Sequence, residues 1–208
     1  MSEQRNTYLK PIHQTDLLWE AFCKGSKQAY FQIYQEYVDE LYNYGYKIHA
    51  DRELVKDCLH DLFVNLWEKR IHLAKVQSIQ FYLYASLRRK MLRTLKKRNL
   101  ESFCDESMFE LFSTGSHESV LIFQQERSQK SSLLKSAIKQ LSARQREVVF
   151  LKYYDNFSYE EISGIMGISV ESLYKLMTKA LKSLKLLLHE KAVHSFVLLI
   201  HLINPLII

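Results

Sequence analysis

Apolar residues recur at three- and four-residue spacing along most of the chain, and no convincing run alternates in the manner of a strand. The clearest stretch is 158–188, SYEEISGIMGISVESLYKLMTKALKSLKLLL. Ser158 is placed to cap a helix, with Glu161 three residues on in a capping box. Ile162, Ile165 and Met166 give that helix an apolar face. Gly167 suits the left-handed residue that ends it, Ile168 plugs the turn, and Ser169 caps a second helix from Val170. On that helix Leu173, Met177 (or Leu176), Ala180, Leu184 and Leu187 share a face, while Lys175, Lys179, Lys182 and Lys185 mostly occupy others. This is the helix-turn-helix pattern, in which the second helix enters a DNA major groove. A plain helical hairpin explains the apolar spacing equally well.

Upstream, Thr15 or Asp16 opens a first helix with Leu17, Leu18, Trp19 and Phe22, which Gly25 and Ser26 interrupt. A second helix, Lys27–His49, is rich in tyrosines expected to pack their rings and leave their hydroxyls at the rim. Asp51 begins a third, DRELVKDCLHDLFVNLWEKR, with Leu54, Val55, Cys58, Leu59, Leu62, Phe63, Leu66 and Trp67 on its buried side. Residues His72–Gln80 form a short link. Ile79 or Phe81 then opens a basic helix, FYLYASLRRKMLRTLKKR. Periodicity collapses over 99–118, the expected linker. It resumes over 120–141, and Ser142 with Gln145 makes another capping box before REVVFLKYYD. The expected architecture is all-α, with two small helical domains: 15–98, and 119–190 with the helix-turn-helix last. A hydrophobic tail follows over 191–208. It is interrupted by His194, His201 and Asn204 and is shorter than the roughly 20 apolar residues of a membrane span. The leading expectation is that it folds back onto apolar surface; a partner contact comes next, and a membrane contact is the minor alternative.

Charge sharpens the picture. The net charge is +6 and the sequence pI about 9.1, which favours a polyanionic partner. Within this basic chain the third helix carries an acidic ridge, Asp57 and Asp61 with Glu53 a turn earlier. A solvated face or docking onto a basic protein surface would both account for it. No paired histidine cluster or Gly-rich loop accompanies the carboxylates, so neither a metal nor another cofactor is expected, and no nucleophile–base pair suggests an enzyme or a small-molecule substrate. The basic helix joins Phe81, Tyr82 and Tyr84 to Arg88, Arg89, Lys90, Arg93, Lys96, Lys97 and Arg98. Rings that stack on bases beside cations that hold phosphates suit single-stranded nucleic acid; a solvated charge run or an amphipathic membrane helix is the competing reading. Cys23, Cys58 and Cys104 are odd in number and widely spaced, which fits a reducing cytoplasm, and the N-terminus lacks the apolar core of a signal peptide.

In order and spacing these segments resemble the extracytoplasmic-function sigma factors, two-domain bacterial transcription initiation factors. The similarity covers about Leu17–Leu186. It rests on AYFQIYQEYVDELYNYG (29–45), DRELVKDCLHDLFVNLWEKR (51–70), YLYASLRRKMLRTLKKR (82–98) and LSARQREVVFLKYYDNFSYEEISGIMGIS with the helix after it. The resemblance implies a specificity subunit that binds core RNA polymerase at its clamp and flap, with promoter DNA as the second partner. It implies polymerase docking through Glu53, Asp57, Asp61 and Trp67. Contacts to the −10 strand would come from Tyr82, Arg88, Arg89 and Arg93 with the 72–80 loop, and contacts to the −35 element from Glu171, Ser172, Lys175 and Lys179. Control by an anti-sigma factor, often membrane-bound, is common in such proteins. The sequence departs from the family pattern at Arg89 (usually Asn), at Arg93 (often acidic), and at Leu176 and Leu181 (frequently Arg). Two other readings stay open. One is a helix-turn-helix regulator acting on duplex DNA without polymerase, which would call for a receiver or ligand-binding N-terminal domain. The other is a helical adaptor, which would need neither the lysines of 174–185 nor arginines beside aromatics.

Overall fold

The computed structural model describes residues 12–98 and 133–189, and every regular element among them is a helix. In chain order these are α1 (Ile12–Cys23), α2 (Lys27–Ile48), α3 (Arg52–Lys69), a 3-10 turn at Arg70–His72, α4 (Ile79–Lys97), α5 over 133–139, α6 (Ala143–Tyr153), α7 (Tyr159–Met166) and α8 (Val170–His189). They belong to two compact units. The first contains α1, α3, α4 and α2 as far as Gly45; the second contains α5–α8. The expected linker 99–118, the stretch 119–132, Cys104 and the tail 191–208 lie outside the described residues.

Local chemistry sets the boundaries. α1 begins at Ile12, earlier than expected. Gly25, at φ +93°, turns the chain between α1 and α2, and the Ser26 hydroxyl accepts a hydrogen bond from the Ala29 amide (3.2 Å). Asp51 caps α3 by accepting from the amides of Glu53 and Leu54 at 3.0 and 3.1 Å. Ser78 caps α4 through the Phe81 amide at 3.1 Å, so α4 starts at Ile79. Both expected capping boxes form, Ser142 with Gln145 and Ser158 with Glu161. Each satisfies two amide donors that a bare helix end would leave unpaired.

In the first unit α3 and α4 pack antiparallel, since Asp57 reaches Arg98 while Asp61, a turn later, reaches back to Lys90. Leu54, Val55, Cys58, Leu62, Phe63 and Leu66 meet Leu83, Leu87, Met91 and Leu95 in the core. An aromatic cluster closes one end, with Trp67 5.2 Å from Tyr30 and 6.4 Å from Phe22, centroid to centroid. Not every tyrosine keeps its hydroxyl at the rim. Tyr44 and Tyr84 are fully buried, 4.8 Å apart, because α2 and α4 each turn that position inward. Gly45 marks a close helix approach: a Cβ built there would lie 2.9 Å from Val55 Cγ1 and 3.2 Å from Met91 Sδ.

The second unit closes around Val148, Leu151, Ile162, Ile165, Met166, Leu173, Met177 and Ala180. A further cluster joins Ala137 and Leu141 to Leu184 and Leu188 of α8. Leu188, rather than the expected Leu187, is the buried residue; it lies four positions after Leu184 on the same face, leaving Leu187 half-buried. Arg146 reaches back to accepting Lys139 O at 2.7 Å and ties α6 to the end of α5.

Candidate nucleic-acid interface

In the second unit the turn between α7 and α8 is built as its residue types require. Gly167 adopts φ +65°, and its amide donates to Ser163 O. The Ser163 hydroxyl donates to Ile168 O at 2.7 Å. The Ser172 amide donates to Ser169 Oγ at 3.2 Å, which caps α8. Asn156, at φ +58°, makes the turn before α7, where Asn is among the residues that tolerate this conformation. With Leu173, Met177 and Ala180 turned inward, Glu171, Ser172, Lys175 and Lys179 all face solvent on the N-terminal half of α8. Glu171 and Lys175 pair at 2.6 Å, with both side chains more than two-thirds exposed. Such an i,i+4 pair is worth only about 0.3–0.5 kcal/mol and yields readily to a phosphate or a base. Tyr174, exposed on the same helix, stacks on Tyr159 of α7 at 4.5 Å. Leu176 and Leu181 are half-buried beside the apolar seam.

The first unit brings the acidic and basic helices into one place. Between α3 and α4 lies an open groove of about 440 Å³, lined by Asp61, Asn65 and Lys69 on one side and Tyr82, Ser86, Arg89, Lys90 and Arg93 on the other. Three of the four residues expected at the −10 strand, Tyr82, Arg89 and Arg93, therefore share a cavity. Arg88 does not. It is 6% exposed and points into the unit, so it is unavailable as a surface phosphate contact. The reason is helical register: Arg88 falls beside Leu87 and Met91 on the inward side, whereas Arg89 and Arg93, four apart, face out.

Nearby side chains orient the groove's residues. Arg89 donates to Ala85 O (3.1 Å) and to the Ser86 hydroxyl (3.3 Å), which holds its guanidinium along α4. The ring of Tyr82 stands edge-on to Trp19 at 5.4 Å. The Trp19 indole N–H donates to Ala74 O at 3.1 Å and so pins the loop that precedes α4. That loop runs irregularly after the 3-10 turn at Arg70–His72 and ends at Ser78, within the expected 72–80 link.

The acidic ridge is solvent-facing but not free. Asp61 pairs with Lys90 at 2.6 Å, Asp57 with Arg98 at 3.7 Å, and Glu53 with Lys56 at 2.8 Å. Trp67, expected at the docking face, is half-buried in the aromatic cluster. Its other face carries the Arg70 guanidinium, 4.1 Å from the ring, and Arg70 donates back to Trp67 O at 2.6 Å. Among the described residues no group of three or more His, Cys, Asp or Glu is arranged to hold a metal ion. Lys90 belongs to the cations of the basic helix already read from the sequence, whereas Trp19, Asn65, Lys69 and Ser86 carry no such signal there. Trp19 reads as one more apolar position in a helix, and the others acquire meaning only when α3 and α4 come together.

Two sequence profiles match this chain in the order of its units. Sigma-70 region 2 matches residues 33–101, and sigma-70 region 4 matches residues 131–184. The chain belongs to the sigma-70 family of RNA polymerase sigma factors. It is 24% identical over 153 residues to RNA polymerase sigma factor YlaC of Bacillus subtilis, a match covering 74% of this chain and 88% of that protein. The fold is shared with the solved structure of CnrH in complex with the cytosolic domain of CnrY (TM-score 0.56, 18% identity, 86% of this chain and 99% of that one). It is shared also with the sigma factor RpoE from Bartonella quintana, solved with the anti-sigma factor NepR (TM-score 0.55, 19% identity, 77% and 97%). As a sigma factor the chain directs transcription initiation, which entails core RNA polymerase and promoter DNA as its partners. The α3–α4 groove lies within region 2 of this sigma factor, and the α7–α8 turn lies within region 4.

Proposed function

We propose that this sigma factor is a non-enzymatic, cytoplasmic specificity subunit with three sets of contact residues. Glu53, Asp57 and Asp61 on α3 meet basic groups of the polymerase clamp, where charge complementarity speeds and orients docking. Tyr82, Arg89 and Arg93, with the loop before α4, hold the opened −10 strand. The ring offers a stacking surface and the guanidiniums neutralise phosphates. Glu171, Ser172, Lys175 and Lys179 face the −35 groove at the end of α8 that comes nearest base edges. The carrying observation is the α3–α4 groove, which places Tyr82, Arg89 and Arg93 together, beside Asp61 of the acidic ridge.

An anti-sigma protein is a fitting further partner, since a relative of the same fold was solved with one. No helix among the described residues is long and apolar enough to cross a membrane. The test is reconstitution with core polymerase. Reversing both charges, Asp57→Lys with Asp61→Lys, is expected to weaken core binding at least ~10-fold, because like charges set against each other cost several kcal/mol. Binding of a −35 duplex by the second unit should not change. Wild-type protein that fails to bind core would refute the proposal.

A further inference from the structure

The outer side of α8 carries more than a DNA contact at its N-terminal half requires. Lys175, Lys179, Lys182 and Leu186 follow one another at four-, three- and four-residue steps, opposite the buried row of Leu173, Met177, Ala180 and Leu184. All of that outer row is exposed, Leu186 to 69%, and Lys185 stands exposed beside it. From Ser172 to His189 there are four lysines and no acidic residue. Shortly after α8 the sequence turns apolar over 192–208, AVHSFVLLIHLINPLII, with no Asp, Glu, Lys or Arg.

Such a run gains from burial, and the described part of the second unit has little to bury it against. Its exposed large apolar side chains are Tyr153, Tyr154, Tyr174 and Leu186. The first three carry hydroxyls, and Tyr154 and Tyr174 already stack on Phe150 and Tyr159. DNA phosphates account for the lysines but offer an apolar run nothing. An anionic bilayer answers both features: its headgroups attract the lysines, and the boundary of its acyl layer takes up apolar side chains. Residues 192–208 are too few, and too interrupted by His194, His201 and Asn204, to cross it, which suits a segment lying in the interface.

We propose that the lysine row of α8 and residues 192–208 together dock on an anionic lipid surface, and that lipid and −35 duplex exclude each other because both need Lys175 and Lys179. The exclusion rests on the −35 assignment above; the lipid contact does not. Protein held at a bilayer then has its second unit withheld from promoters.

The test uses the full chain and sucrose-loaded vesicles of equal parts phosphatidylglycerol and phosphatidylcholine, with pure phosphatidylcholine for comparison. Wild type is expected to sediment with the anionic vesicles. Lys182→Gln with Lys185→Gln should weaken that binding about 25-fold, since each lysine near an anionic surface is worth about fivefold. Leu199→Glu with Ile203→Glu should weaken it at least ~10-fold through the loss of two apolar insertions, and should leave duplex binding as in wild type. Saturating anionic vesicles should release a labelled −35 duplex from wild type.

Wild type that stays in solution with anionic vesicles overturns the proposal. A lower melting temperature of the Leu199→Glu, Ile203→Glu protein then assigns the run to the chain's own surface, and a concentration-dependent mass lost in that variant assigns it to a second copy. Equal binding to pure phosphatidylcholine overturns the role of the lysines, and vesicles that leave the duplex bound overturn the exclusion. Wild type that binds vesicles and never the duplex overturns the −35 assignment and leaves the lipid contact standing.

Discussion

Replacing Gly45 with alanine tests the packing that joins the acidic and basic helices. An alanine Cβ would sit 2.9 Å from Val55 Cγ1, 3.2 Å from Met91 Sδ and 3.6 Å from Leu87 Cδ2. Carbon atoms rest at about 3.5–4.0 Å, so the first contact is more than half an ångström too close. Met91 is flexible and can give. Val55 is β-branched, fully buried and held to one rotamer in α3, so relief there requires α2 and α3 to move apart. Overpacking of this kind costs about 1–3 kcal/mol. Alanine returns about 1 kcal/mol of helix propensity. The expected net loss is up to about 2 kcal/mol, or up to roughly 16 °C in the melting of a domain this size. Both tryptophans, Trp19 and Trp67, lie in the first unit, so intrinsic tryptophan fluorescence reports that unit selectively. Val55→Ala removes the opposing methyls, and the double variant should be more stable than the two single losses predict by addition. A Gly45→Ala protein that melts higher than wild type, with no coupling to Val55→Ala, would refute the close approach.

Gly167→Ala meets no steric obstacle but must hold φ +65°, so the second unit should lose about 1–2 kcal/mol and −35 duplex binding should weaken with it; Gly167→Asn should lose less, as read by thermal melting under circular dichroism. Trp19→Phe removes the hydrogen bond to Ala74 O, and should reduce promoter opening in a permanganate footprint while core binding measured by gel filtration holds. Burial is the largest influence on the Cys58 thiol and raises its pKa, so the folded protein presents little thiolate at neutral pH. Iodoacetamide at pH 7.5 should therefore label Cys58 only after unfolding, and mass spectrometry of the native protein should find it unmodified.

Much of this was legible in the residues themselves. Ser142, Ser158, Ser169 and Gly167 act through bonds to residues three to five positions away, so local sequence is enough to place them. The inward face of α8 follows from the 3.6-residue period as far as Ala180 and Leu184, and slips by one only at its end, between Leu187 and Leu188. The family, too, could be read from the order of its segments. Arg88 shows where such reading stops. In a run of arginines and lysines, sequence cannot say which member turns inward, because that depends on how α4 is rotated against α2 and α3. Nor could it show that Asp61 and Lys90, 29 positions apart, form a pair, or that Trp19 holds the loop at Ala74, 55 positions away. Helix caps and periods are encoded in neighbouring residues and are present before the chain folds. The groove between α3 and α4, with the pairing of its acids and bases, exists only once two helices with no local claim on each other have packed.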